Sequence, residues 1–486
     1  MPRRTPYAVR RTTRHLAALV VAALLFWLPT TAEAAPAPAP SPGSSGMGDP
    51  YFPLDGNGGI DVVRYRIHDT YDFERRGLSG STTLVVRATQ DLSRFNLDLL
   101  LPVRKVTVDA VGARFTKPNR HELRIVPRSS IAAGERFTVR VWYAGEPGRI
   151  AWGGERNWLA NRQEVVAMNE PHMAPWWFAA NDHPRDKALM DISITVPRGK
   201  QVVANGRRIG RTVQGARATT RWRADEPMVP YLAFFAAGSY AVDHGRRHGL
   251  PWYVAVSKQL PPRMRQASMR LMRQTPTLVG WLATQLGKYP FSATGGLTTG
   301  LEPGFALENQ TRPTYPAFSG RATGTVVHEL AHQWFGDSVS VKNWRDIWLN
   351  EGAATFMEVR YTETHGGRSA ARWLRQVYRS RGPNDAFWDL RIARPGKGHI
   401  FDGEVYFRGA MALQALRQRV GNDDFWTILR TWLSQRANGN GATEDFRALA
   451  EDVSGESLAS FFRAWFFSSN RPANNQANGW PGGLTP

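Results

Sequence analysis

Residues 326–361 read VVHELAHQWFGDSVSVKNWRDIWLNEGAATFMEVRY. His328 and His332 stand four apart in a run whose apolar members, Val326, Val327, Leu330 and Ala331, supply the buried side of a helix. That spacing stacks two imidazoles one turn apart on a single face, within reach of one ion. The chain of 486 residues has no cysteine, so a metal must be held by His, Asp or Glu. Eighteen residues separate His332 from Glu351, which opens the next helical pattern. Two helices joined by a loop would return that carboxylate to the histidine pair. Two His and one Glu suit one Zn2+ per chain and leave a coordination position open for water. Glu329 points about 100° around the helix from His328, so it is placed to take a proton from that water and pass it to a leaving amine. The pattern points to metal-assisted hydrolysis of an amide.

Outward from this core, the period of the sequence changes. Upstream, from about Tyr51 to Val242, apolar residues alternate: Val63, Tyr65 and Ile67, then Phe137, Val139, Val141 and Tyr143. Further short runs at 95–99, 106–108, 123–126 and 191–196 are separated by Gly, Pro and Asn. Beyond Pro262, helical spacing recurs at 263–286, 325–335, 347–361, 409–420 and 458–467. The expected class is therefore α+β and multidomain, with a β domain over 51–245 and a mostly helical catalytic domain over 246–470. Residues 35–50, APAPAPSPGSSGMGDP, read as an extended linker. Residues 471–486 read as an unstructured tail. At the start of the chain Arg3, Arg4, Arg10, Arg11 and Arg14 precede an apolar run over 16–28, followed by Ala32-Glu33-Ala34. This is the pattern of a cleaved signal peptide over 1–34, too short in its apolar part to span a bilayer comfortably. The expected location is secreted, extracellular or associated with the cell surface.

The stretch 326–361 resembles the zinc core of the aminopeptidase N-like metallopeptidases, a gluzincin family typified by membrane alanyl aminopeptidases. That resemblance implies a saddle-like β-sandwich domain followed by a thermolysin-like catalytic domain, the order read above. Three further segments fall in the family's order. Phe305-Ala306-Leu307-Glu308-Asn309 resembles its Gly-Ala-Met-Glu-Asn exopeptidase motif, with Phe305 in place of the glycine and Leu307 in place of the methionine. The match implies that Glu308 binds the free α-amine of the substrate, a charge-assisted contact, with Ala306 and Asn309 beside it. The segment NEPHMAPWWFAANDHPRDKA resembles the stretch in which the family carries its second amine-binding acid, which maps to Glu170. Val405-Tyr406-Phe407-Arg408-Gly409 resembles the Tyr-x-Lys/Arg-Gly segment, so Tyr406 would donate its phenol to the oxyanion. The large C-terminal helical domain of many relatives has no counterpart here, which implies a more open cleft.

The balance of 62 Lys+Arg against 41 Asp+Glu gives a formal net charge of +21. The arginines are spread through every segment, with no basic helix or zinc-finger pattern, so no nucleic-acid partner is expected. A basic surface is expected to associate weakly with anionic cell-surface polymers. The expected partners are peptides with a free N-terminus. His172, His183, His365 and His399 lack ligand spacing and are expected in the surface or core. Two alternatives stay open: a zinc endopeptidase with the same hydrolytic core, and an inactive basic cell-surface binding protein on an enzyme fold.

Overall fold

The computed structural model describes residues 39–320 and 322–480. The signal-peptide reading over 1–34 and the end of the chain from 481 lie outside the described residues. The β half is built on an eight-stranded sheet whose central pair, Ile60–Asp72 and Gly77–Ala88, runs antiparallel. Ala188–Pro197 joins that pair in parallel on one side, and Arg136–Gly145 joins antiparallel on the other. The alternating apolar residues explain this: Tyr65, Ile67, Val139 and Val141 all point inward and are fully buried. A second sheet, ordered Ser41–Pro42, Leu92–Asp98, Glu122–Val126 and Arg114–Thr116, supplies an opposing layer. Phe95 from this layer packs on Phe137 of the large sheet, with ring centroids 5.3 Å apart.

The strand Tyr240–Arg247 forms a hairpin with Leu250–Ser257, which pairs in parallel with Thr294–Thr298. A boundary at 245/246 would therefore cut a strand of the catalytic half, because period two persists through the first sheet of that half. Helices follow at Pro262–Met272, Thr275–Leu286, Thr323–Ala331, Trp348–Thr364, Ala370–Ser380, Gly403–Val420, Asn422–Gln435 and Thr443–Ser454. No helix among the described residues is long and apolar enough to cross a membrane.

Two segments depart from the sequence expectation. The linker reading fails from Ser41 onward. Ser41 N–H donates to Asp91 O at 2.9 Å and Gly43 N–H to Arg94 O at 2.8 Å, so the segment adds an edge strand mainly through its backbone, with Gln90 Nε2 also donating to Ser41 Oγ at 2.8 Å. Asp49 then accepts from the Trp344 N–H at 2.9 Å, tying this segment to the catalytic half. The tail reading fails over 471–480. Trp480 is buried against Tyr378, ring centroids 4.6 Å apart, and Tyr378 donates to Pro472 O at 2.7 Å. A polar, Asn-rich sequence is held because its backbone carbonyls satisfy buried donors and one Trp supplies the anchor.

Candidate active site

The helix Thr323–Ala331 carries His328 and Glu329, and His332 follows at its end. The chain then turns at Gly336, whose φ of +120° places it where a side chain is strained. A Cβ there would also stand 3.2 Å from Asn350 Nδ2. This turn feeds the helix Trp348–Thr364, which returns Glu351 to the histidines. Glu351 Oε2 lies 3.3 Å from His328 Nε2 and 3.4 Å from His332 Nε2. The outward ring nitrogens are already committed: His328 Nδ1 pairs with Glu358 Oε1 at 2.7 Å, and His332 Nδ1 donates to Phe335 O at 3.0 Å. A carbonyl only accepts, so Nδ1 of His332 carries a proton and Nε2 is the nitrogen turned toward the site.

Tyr406 arrives on the helix Gly403–Val420, which crosses the Glu351 helix where both backbones are bare. A Cβ on Gly352 would stand 2.8 Å from Gly409 Cα, so the two glycines set the approach. The buried Arg408 guanidinium fixes the start of this helix by donating to the carbonyls of Trp388, Leu390, Ala464 and Ser468. The Tyr406 ring then lies 6.0 Å from the His328 ring, inclined by 17°. Glu308 is held from both sides. Leu307 exchanges backbone hydrogen bonds with Thr314, and Gln333 Nε2 donates to Glu308 O at 2.8 Å.

These groups line one cavity of about 430 Å³, together with Glu170, Phe305, Ala306, Leu307 and Phe401. Burial raises the Glu329 carboxyl to about 8, with Glu308 and Glu351 adding to the shift and both histidines opposing it. Burial works against charge on His332, but Glu351 and Glu308 outweigh it and lift the imidazole to about 9. Glu351 is held down at about 2, because the histidines overcome its desolvation. Glu308 and Glu170 are both raised, by burial first, with repulsion from Glu351 adding in each case. Burial, then the four carboxylates around it, pushes the Tyr406 phenol well above its ordinary range, so it stays a hydrogen-bond donor.

Residues 296–465 match the Peptidase family M1 domain. About a third of the chain thus carries an M1 peptidase domain, and its relatives are aminopeptidases and zinc metallopeptidases of the same M1 family. The chain is 25% identical over 478 residues to a probable M1 family aminopeptidase 2 of Encephalitozoon cuniculi, covering 86% of this chain and 54% of that protein. It is 30% identical over 166 residues to aminopeptidase N of Streptomyces lividans, covering 32% and 19%. The chain thus spans about half the length of the first of these curated relatives. Among solved structures, an M1 zinc metallopeptidase of Deinococcus radiodurans, a Glu-to-Ala mutant bound to a Tyr-Ser-Ala substrate, superposes with a TM-score of 0.76 at 28% identity. That likeness covers 87% of this chain and 97% of the other, so both halves of the fold are matched.

The donor set of the M1 domain fits zinc. The ligand atoms of His328, His332 and Glu351 lie within 4.8 Å of one another, and all three residues are buried. They are two imidazole nitrogens and one carboxylate, the borderline-soft mixture that zinc accepts. Of the other expected site residues, Glu329, Glu308, Glu170, Ala306 and Tyr406 share the cavity. Asn309 is not among its lining groups: its Nδ2 donates to Leu232 O at 3.2 Å, which anchors the loop behind Glu308. Sequence reading missed Glu358, Gln333 and Tyr231; the Tyr231 hydroxyl donates to Glu308 Oε1 at 3.4 Å. Glu358 alone left a signal, seven residues after Glu351 and so on the same helical face.

Proposed function

We propose that the chain is a secreted, zinc-dependent aminopeptidase that removes N-terminal residues from peptides. The observation that carries this reading is the shared cavity: two acids, Glu308 and Glu170, face the same space as the His328–His332–Glu351 set. Glu170 Oε1 is buried without a partner among the described residues, and Glu308 has only the Tyr231 hydroxyl on its carboxylate. Two buried acids with no Lys or Arg on their carboxylates among the described residues are suited to a substrate ammonium. The substrate's first residue then lies between amine and metal, which makes the cut exopeptidic.

His328, His332 and Glu351 would hold the zinc. The chemistry zinc supplies when bound is polarisation of the scissile carbonyl and acidification of the attacking water. Glu329 takes the proton from that water and returns it to the departing amine. Tyr406 donates its phenol to the carbonyl oxygen as charge develops there. Glu358 and the Phe335 carbonyl keep each imidazole in the orientation the site needs. Export is supported by the arginine-rich start, the apolar run over 16–28 and the Ala32–Ala34 cleavage pattern. The basic surface favours weak association with anionic cell-surface polymers.

The test is peptide cleavage by the purified mature chain, read by mass spectrometry, on free and N-acetylated peptides with and without a chelator. Stepwise loss of N-terminal residues from free peptides only, abolished by chelation, is expected. Internal cuts in both forms would replace the reading with an endopeptidase, and no turnover on broad peptide libraries would replace it with a binding protein. Glu308→Ala should weaken cleavage of free peptides specifically, and an equal loss on blocked peptides would contradict its amine role.

A further inference from the structure

The β half buries a second group of metal-type donors far along the chain from the catalytic set. Asp98 ends the strand Leu92–Asp98, and Glu122 opens Glu122–Val126 directly opposite it in register. His121 precedes Glu122. The donor atoms of these three residues lie within 4.8 Å of one another, and each residue is no more than 1% exposed.

Length alone does not mark a shared ion, since His183 Nε2 also stands 3.6 Å from Asp49. The tighter His–carboxylate pairs are closed: His172 lies 2.9 Å from both Asp55 and Glu155, and His328 Nδ1 lies 2.7 Å from Glu358. His121 Nδ1 instead stands 3.6 Å from Asp98 Oδ1 and 3.4 Å from Glu122 Oε1. These lengths exceed the range of a charge-assisted hydrogen bond. They match the 3.3 and 3.4 Å between Glu351 and its two histidines. Two atoms each about 2.0–2.1 Å from one tetrahedral ion sit about 3.3–3.4 Å apart.

Unpaired oxygens at the same place give an independent sign. Glu122 Oε2 and Asp182 Oδ2 have no hydrogen-bond partner among the described residues, although Glu122 is 1% and Asp182 4% exposed. Asp182 belongs to the group, since its N–H donates to Asp98 Oδ2 at 2.7 Å. The neighbouring His172 already pairs with Asp55 and Glu155. Burying several carboxylates is costly even with Arg124 and Lys117 acting on Glu122. Trp152 stacks on the His121 ring at 4.3 Å and 12°, which covers the group and fixes the imidazole plane.

We propose that Asp98, His121 and Glu122, with Asp182 beside them, form a structural site for a divalent cation of the Zn2+ or Mn2+ class. A mixed nitrogen and carboxylate set favours those ions over Ca2+, which prefers six to eight oxygens. The cation ties the ends of two strands to the segment that runs from Glu170 to Asp182, and so braces one wall of the catalytic cavity.

The test uses the full mature chain stripped with a chelator, reloaded with Zn2+ or Mn2+, gel-filtered and assayed for bound metal by mass spectrometry. Wild type is expected to retain two equivalents, and His328→Ala/His332→Ala one. In that double variant the melting midpoint should rise by about 5 °C with either ion at a hundredfold excess over its dissociation constant. Glu122→Gln in the otherwise intact chain should retain one equivalent, with cleavage activity on Zn2+ loading preserved. A double variant that melts cooperatively yet retains no metal overturns the site. So does a Glu122→Gln chain that retains two equivalents, or a stabilisation given by Ca2+ and by neither of the other ions.

Discussion

Glu358 offers the sharpest measure of how the catalytic set is oriented. Its carboxylate lies 2.7 Å from His328 Nδ1, the length of a charge-assisted hydrogen bond. Replacing it with alanine leaves the imidazole free to rotate and removes a negative charge that makes Nε2 a better donor. Loss of such an outer partner typically lowers metal affinity about 10- to 100-fold. The Glu358 side chain is 36% exposed, so water takes over part of its role and the loss belongs at the low end. The expectation is about a tenfold weaker zinc affinity, or ~1.4 kcal/mol. Glu358→Gln keeps an acceptor but no charge and should lose about half that free energy. Competition against a chromophoric chelator measures the affinity, and kcat on a free peptide is then read at saturating zinc. Because Glu358 touches the histidine and not the cavity, zinc-saturated kcat should stay close to wild type. Affinity unchanged within twofold would refute the orienting role. A large fall in kcat at saturating zinc would show that Glu358 acts on the reaction itself.

Three further outcomes are expected. Glu329→Gln should retain zinc in full and lose about 10²–10⁴-fold in kcat, and near-normal turnover would remove Glu329 as the proton carrier. Tyr406→Phe should lower kcat about 10²–10³-fold with little change in KM, since its bond strengthens as the oxyanion forms; a change confined to KM would make it a binding residue. Asp69 is buried against Trp177 Nε1 at 2.8 Å, and burial raises its carboxyl from 3.8 to about 7. The folded chain therefore keeps a proton that the unfolded chain releases between about pH 4 and 7, and wild type loses stability as pH rises through that window. Asp69→Asn does not titrate, so its melting midpoint relative to wild type should climb across the window and level off above it; a flat difference would contradict the shift.

The strands and helices that were legible in the sequence are those whose burial is one-sided. Alternation at Tyr65–Ile67 and Phe137–Val139–Val141 marked strands because each has one face in the core and one in water; Val63 falls out of step, because a bulge between Val62 and Arg64 puts Val62 in the core in its place. The run over 263–286 hid a break: two helices, Pro262–Met272 and Thr275–Leu286, meet at Arg273 and Gln274, and Pro276 starts the second. Residues 41–50 and 471–480 read as unstructured for a common reason. Their attachment runs through backbone hydrogen bonds, which leave no trace in hydropathy, and through single side chains such as Asp49 and Trp480. Composition reports how much apolar surface a segment can bury, not where its amides and carbonyls find partners.

At the site, legibility followed sequence distance. His328, Glu329, His332 and Glu351 lie within one helix–turn–helix, where spacing alone fixes which faces meet. Tyr406 could be placed only by resemblance, because what brings it in is the glycine crossing of Gly352 and Gly409, a contact that no periodicity encodes. Tyr231 belongs to the end of the β half and reaches Glu308 across 77 positions of sequence. Asn309 shows the reverse error. Resemblance grouped it with Glu308 as substrate-binding, but adjacent residues in an extended segment face opposite ways. Glu308 turns toward the cavity while Asn309 turns back to Leu232 O. Its contribution is to hold the loop, so Asn309→Ala should disturb Glu308 through the backbone and raise KM for free peptides. Glu308→Ala, by contrast, removes the amine contact itself. A loss from Asn309→Ala that extends equally to N-acetylated peptides would show that the loop supports the whole cavity rather than the amine contact alone.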